Sequence, residues 1–166
     1  MTTDIQDAPG VVSIAGDTLQ VVFRRRYAKP IEKVWAAITV PERIADWLAE
    51  AEIEMRVGGA IRLNWNKGTN RMEGRVVALD PPNTFAWTWT LDGRESVVRF
   101  DLKAEGDGCW LTLTHSGVDT RSGGVRAGWH SHLEGIPDAI EGRATTWATI
   151  LARKAAVEGL YPALPA

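Results

Sequence analysis

The segment Gly128-Trp129-His130-Ser131-His132-Leu133-Glu134-Gly135-Ile136-Pro137-Asp138-Ala139-Ile140 reads as a one-faced helix that follows a long, almost unbroken run of strand-like sequence. At about 100° per residue, Val125, Trp129, Leu133, Ile136 and Ile140 fall within a narrow stripe. An antiparallel sheet with one apolar face has to lay that face on something, and this stripe is the cover the chain supplies. The space between sheet and helix is then either filled with side chains or left as a pocket, and that alternative governs what such a chain can do.

The strand run is legible from its period. Thr18 to Tyr27 places Leu19, Val21, Phe23, Arg25 and Tyr27 on one face. Pro30 suits the first position of a helix carrying Ile31, Val34, Trp35 and Ile38, and Pro41 restarts a second with Ile44, Trp47 and Leu48. Beyond these the period becomes two. Ile53, Met55 and Val57 alternate with polar residues before a tight turn at Gly58-Gly59, and Ile61, Leu63 and Trp65 follow before a turn at Lys67–Asn70. A strand from Arg71 to Leu79 stops at Asp80-Pro81-Pro82-Asn83, and Phe85, Trp87 and Trp89 share a face of the next. Asp92-Gly93 is the strongest hairpin signal; Val98, Phe100 and Leu102 follow it, and then Cys109, Leu111, Leu113 and His115. The expected fold is α+β: a curved antiparallel sheet of about seven strands, two short helices after the first strand, and one long covering helix. Pro137 should bend that helix, because it lacks the N–H owed to the carbonyl of Leu133.

Composition narrows the function classes. The 166 residues suit one domain, and a net charge of −2 without a basic tail offers nucleic acid no attraction. Arg24-Arg25-Arg26 alternates across a strand and forms no single patch. The single cysteine excludes an internal disulfide, no stretch has the length of a membrane span, and a cytoplasmic location is expected. Residues 1–10 read as a flexible leader. The unusual count is eight tryptophans, which either pack a wide interior or line a cavity.

Arg25 before Tyr27, Pro30-Ile31-Glu32-Lys33-Val34-Trp35, Pro41-Glu42-Arg43 with Trp47, and Val57-Gly58-Gly59 stand in an order that resembles a known family. Asp80-Pro81-Pro82 followed by Phe85, Thr88 and Trp89, then Gly128-Trp129 and Leu133, complete the likeness. Together they resemble the helix-grip (START-like, or SRPBCC) superfamily, and within it the branch related to the C-terminal domain of the Hsp90 ATPase activator. The resemblance spans roughly residues 18–141 and leaves the tail after Gly142 uncovered. It implies a helix-grip domain over residues 11–142 with a deep cavity between sheet and C-terminal helix, a hydrophobic guest, and no universal catalytic motif. Residues 143–166 form a helical extension that packs on this domain or at a homodimer interface.

The candidate ligand-binding residues are Arg25, Trp35, Trp47, Met55, Trp65, Met72, Trp87, Trp89, Phe100, His115, Trp129 and Leu133. The aromatic and aliphatic members would make an apolar wall, and Arg25 and His115 its polar points. A buried guanidinium needs carboxylate or carbonyl partners, and an inward imidazole can accept, donate or transfer a proton. His130 and His132 lie about 200° apart on a helix and cannot chelate one metal; His130 is placed to meet Glu134, and His132 borders the stripe. Neither a metal nor a cofactor is expected. Cys109 reads as an inert buried thiol. Three functions are open: binding of a small hydrophobic or amphipathic molecule, a cyclase- or dehydratase-like enzyme using His115 and Arg25, and, from the resemblance, a chaperone-interacting module. The first is favoured, and the enzyme requires His115 and Arg25 to reach one point of a cavity.

Overall fold

The computed structural model describes residues 8–65, 68 and 70–164. Eight strands run in chain order: β1 (Val11–Ala15), β2 (Thr18–Tyr27), β3 (Glu50–Ile53), β4 (Ala60–Trp65), β5 (Asn70–Asp80), β6 (Thr84–Leu91), β7 (Arg94–Glu105) and β8 (Gly108–Asp119). They form one antiparallel sheet in the order β1-β2-β8-β7-β6-β5-β4-β3. The helices are α1 (Ile31–Thr39), α2 (Pro41–Trp47), α3 (Val125–Leu133), α4 (Ile136–Ile140) and α5 (Trp147–Val157). This is the α+β helix-grip architecture expected, with one strand more than the sequence announces. The extra strand is β1, which pairs as a hairpin with β2 through Gly16, where φ is +63°.

The sheet curves where β5 bends. Its register against β6 shifts between Val76 and Ala78, and Gly74 lies so close to β6 that a Cβ there would stand 1.9 Å from the carbonyl oxygen of Thr88. Only glycine admits that approach. At Asp92-Gly93 both residues have positive φ, 49° and 81°, as a two-residue hairpin demands.

Two sequence expectations need correction. β3 ends at Ile53, so Met55 and Val57 lie in a loop and are 41% and 61% exposed. The Gly58-Gly59 turn does form, with Gly59 N–H donating to the carbonyl of Arg56 at 2.9 Å, and its backbone also exchanges hydrogen bonds with Val76 of β5. The covering helix is not merely bent but broken. α3 ends at Leu133, Gly135 N–H donates back to His132, and Pro137 falls in the first turn of a new helix, α4, where its missing N–H costs nothing. The turn foreseen at Lys67–Asn70 and the first seven residues of the leader lie partly or wholly outside the described residues.

α1 packs on β7, β8, α2 and α4, while α3 packs on α5. Between these helices and the sheet, Phe23, Phe85, Trp87, Phe100, Leu111, Leu113 and Leu133 are fully covered. Trp47 satisfies its indole N–H on the carbonyl of Ala37 at 2.7 Å. The void left among Trp47, Trp87, Phe100 and their neighbours is about 10 Å³, so this part of the interior is filled rather than hollow.

Candidate functional site

A sizeable, mostly apolar concavity lies to one side, between the β4–β6 end of the sheet and the helices α3 and α5. It is an open cleft of about 570 Å³. Its sheet wall carries Trp65, Asn70, Arg71, Trp89 and Asp92; its helix wall carries Val125, Trp129, Ser131 and His132; α5 adds Trp147, Ile150, Leu151 and Lys154. Four of the eight tryptophans therefore meet at one place.

The indoles are ordered by each other. Trp65 stacks on Trp89 with ring centroids 5.4 Å apart and planes 18° from parallel, and the far face of the system continues from Trp89 to His115 at 5.3 Å and 17°. Trp129 meets Trp89 edge-on at 5.5 Å. Such offset-stacked and edge-to-face pairs are each worth about 0.5–1.5 kcal/mol beyond burial.

His115 sits behind this wall with no exposed surface. The Trp129 indole N–H donates to its Nδ1 at 2.9 Å, and Ser96 Oγ lies 2.8 Å from its Nε2. An indole nitrogen can only donate, so Nδ1 is bare and Nε2 carries the proton. Nε2–H then donates to Ser96 Oγ, whose own hydroxyl donates to the carbonyl of Trp89 at 2.6 Å. Both ring nitrogens of His115 and the Ser96 hydroxyl are thus engaged. Burial pushes the imidazole down to about 3, so it is neutral at ordinary pH.

Arg25 is inward-facing, as strand parity requires, and 2% exposed. Its guanidinium donates to the carbonyls of Arg24 at 2.9 Å and Ala8 at 2.8 Å and lies 5.4 Å from the Phe23 ring centroid. Arg25 pairs across from Leu111, whereas His115 pairs across from Val21. That offset of four residues on β8 amounts to roughly 13 Å of strand, and neither residue lines the cleft. The geometry required for an enzyme using the two together is not met.

Of the other candidates, Trp65, Trp89 and Trp129 line the cleft. Trp47, Trp87 and Phe100 surround the small core void, Leu133 is buried in the core, and Met72 is buried opposite Leu63. Trp35 is half-buried, edge-on to Phe85 at 6.3 Å. Met55 stands apart on its exposed loop.

Sequence reasoning missed the contribution of α5. Trp147, Ile150, Leu151 and Lys154 follow at spacings of three, four and seven, a one-faced pattern that was visible, but its target was not. The tail is anchored by Tyr161, whose hydroxyl accepts from the N–H of Gly10 and bonds His130 Nδ1, both at 2.8 Å. His130 Nε2 lies 3.8 Å from Glu134, the neighbour its spacing foretold, and Glu134 also meets Arg153 of α5 at 3.4 Å. His132 turns elsewhere, with Nδ1 3.0 Å from the carbonyl of Trp47. Among the described residues no group of three His, Cys, Asp or Glu side chains converges as a metal site would need. Cys109 is buried, and burial pushes its thiol up. Among the described residues no helix is long and apolar enough to cross a membrane.

A curved antiparallel sheet closed over helices, with its cleft beside the C-terminal ones, defines a helix-grip protein. The chain belongs to the family of Activator of Hsp90 ATPase homolog 1-like proteins, whose model matches residues 28–141. Its fold is similar to that of CalU16 from Micromonospora echinospora, with a TM-score of 0.68 and 28% identity over 92% of this chain and 94% of that one. Protein MLL2253 from Mesorhizobium loti is similar at 27% identity and a TM-score of 0.68, over 76% of this chain and 99% of that one. The Aha1 dimer from Colwellia psychrerythraea shares the fold at 22% identity and a TM-score of 0.59, over 74% and 96% of the two chains. Comparison of the sequence with curated proteins found no match.

Proposed function

We propose that this protein binds a small, largely apolar molecule in the cleft between β4–β6, α3 and α5, and that it does so without chemistry on the guest. The observation that carries this reading is the meeting of Trp65, Trp89, Trp129 and Trp147 around an open space of about 570 Å³. That volume lies within the usual range of ligand pockets, and indole faces give a flat guest large contact area at little entropic cost. A few polar side chains at the rim supply orientation. The neutral, fully bonded His115 supports binding over acid–base catalysis, since it has no free nitrogen to offer.

Native mass spectrometry of the freshly purified protein, with quenching of its tryptophan fluorescence by added 2-naphthol, tests this reading. The expected result is a reproducible adduct or saturable quenching that Leu151→Glu, a change on a half-exposed face of α5, weakens. A bare-chain mass together with no saturable quenching overturns it.

A further inference from the structure

Resting on that reading, we infer that His132 selects the guest: the cleft takes a planar apolar molecule carrying a phenol- or enol-type hydroxyl, whose O–H donates to Nε2 of His132 beside the ammonium of Lys154. The argument begins with the tautomer. The Trp47 carbonyl can only accept, so the nitrogen 3.0 Å from it, Nδ1, must carry the proton. Nε2 is thereby left as a bare lone pair on the opposite side of the ring, and it has no protein partner among the described residues. The ring itself is held edge-on to Trp129, with centroids 6.5 Å apart, and forms part of the cleft wall. A bare acceptor in a mostly apolar cleft discriminates strongly in favour of a guest that donates to it.

Lys154 narrows the class further. It reaches the same cleft from α5, no carboxylate among the described residues pairs with it, and its charge is felt at His132. A cation at that place opposes protonation of the imidazole and so keeps Nε2 an acceptor. It also stabilises the negative charge that gathers on a hydroxyl oxygen as it donates, which favours acidic hydroxyls over aliphatic alcohols. Burial is the main cause that holds His132 down to about 4 and therefore neutral, and the Lys154 charge adds to it. A carboxylate guest would satisfy Lys154 but bring a second acceptor to Nε2, and is disfavoured on that ground.

The test compares 2-naphthol with 2-methoxynaphthalene, which have nearly the same shape and differ in the hydroxyl proton, by isothermal titration calorimetry. Wild-type protein should bind 2-naphthol about five- to tenfold more tightly, the worth of one hydrogen bond to a neutral acceptor. His132→Phe should abolish the difference between the two probes. His132→Gln, whose amide can donate to Trp47 and present an oxygen to the cleft, should restore part of it. Lys154→Met, which removes the charge and keeps an apolar chain on the cleft wall, should shrink the ratio of the two affinities. If both probes bind equally to the wild type, the selection by His132 is wrong while the cleft remains a binding site. If His132→Phe keeps the preference, another group reads the hydroxyl and the inference falls. If neither probe binds, the inference and the binding reading fall together.

Discussion

Trp129 holds His115 in a single protonation state: its indole N–H reaches Nδ1 at 2.9 Å across the gap between α3 and β8. The bond ties the helix that walls the cleft to the strand beneath it. Replacing Trp129 by Phe keeps most of the aromatic bulk but leaves Nδ1 buried without a donor, at a cost of about 2–4 kcal/mol including lost packing. Urea unfolding measures this directly. The double variant with His115→Leu should cost less than the sum of the single changes, because the orphaned acceptor is removed with its donor.

Acid should unfold the protein through its two neutral histidines. In an unfolded chain imidazole protonates near pH 6.5, whereas the fold holds His115 down to about 3 and His132 to about 4. Between these limits the unfolded state binds more protons, so stability rises with pH and drains away as pH falls from about 6.5 to about 3. The urea midpoint recorded across that window should slope accordingly, and His115→Gln should reduce the slope. A midpoint indifferent to pH would contradict the assignment.

Tyr161→Phe should loosen both ends of the described chain at once. The change removes the acceptor for Gly10 N–H and the partner of His130 while keeping the ring on Phe23 and beneath the Arg126 guanidinium. A loss of about 1–2 kcal/mol is expected. Hydrogen exchange should quicken in the peptide containing Gly10 and Val11, which a purely local effect at the tail would not touch.

Tyr27 offers the opposite sign. Its hydroxyl is buried, finds no hydrogen-bond partner among the described residues, and burial pushes it well up from the ordinary phenol range. Tyr27→Phe should be neutral or stabilise by about 0.5–1 kcal/mol, read from the thermal midpoint.

Much of the scaffold was written in periodicity. The alternation through Phe85, Trp87 and Trp89, the Asp92-Gly93 turn and the inward parity of Arg25 and His115 all hold in space. β1 escaped notice because an edge strand has one neighbour and buries little. Val11 and Ile14 are exposed, and Val-Val-Ser-Ile-Ala shows no alternation. Met55 misled for the converse reason: its apolar-polar rhythm continues past Ile53, where the backbone has already left β3. The covering stripe was real, yet a period marks only a face, and the break at Gly135 depends on how Pro137 resolves its clash. The cleft was least legible. It joins Trp65, Trp89, Trp129 and Trp147 from four separate elements, and the tautomer of His132 is set by a carbonyl 85 positions away.

The bond between Gly10 and Tyr161 spans 151 positions of the chain. A ribosome delivers the first of these residues long before the last, and domains settle from the N-terminal side as they emerge. The N-terminal hairpin and the sheet can pair early, but the lip of the cleft on α5 and the clasp at Gly10 both wait until the chain as far as Tyr161 has emerged. Until then the indoles of Trp65, Trp89 and Trp129 lack the wall that α5 supplies.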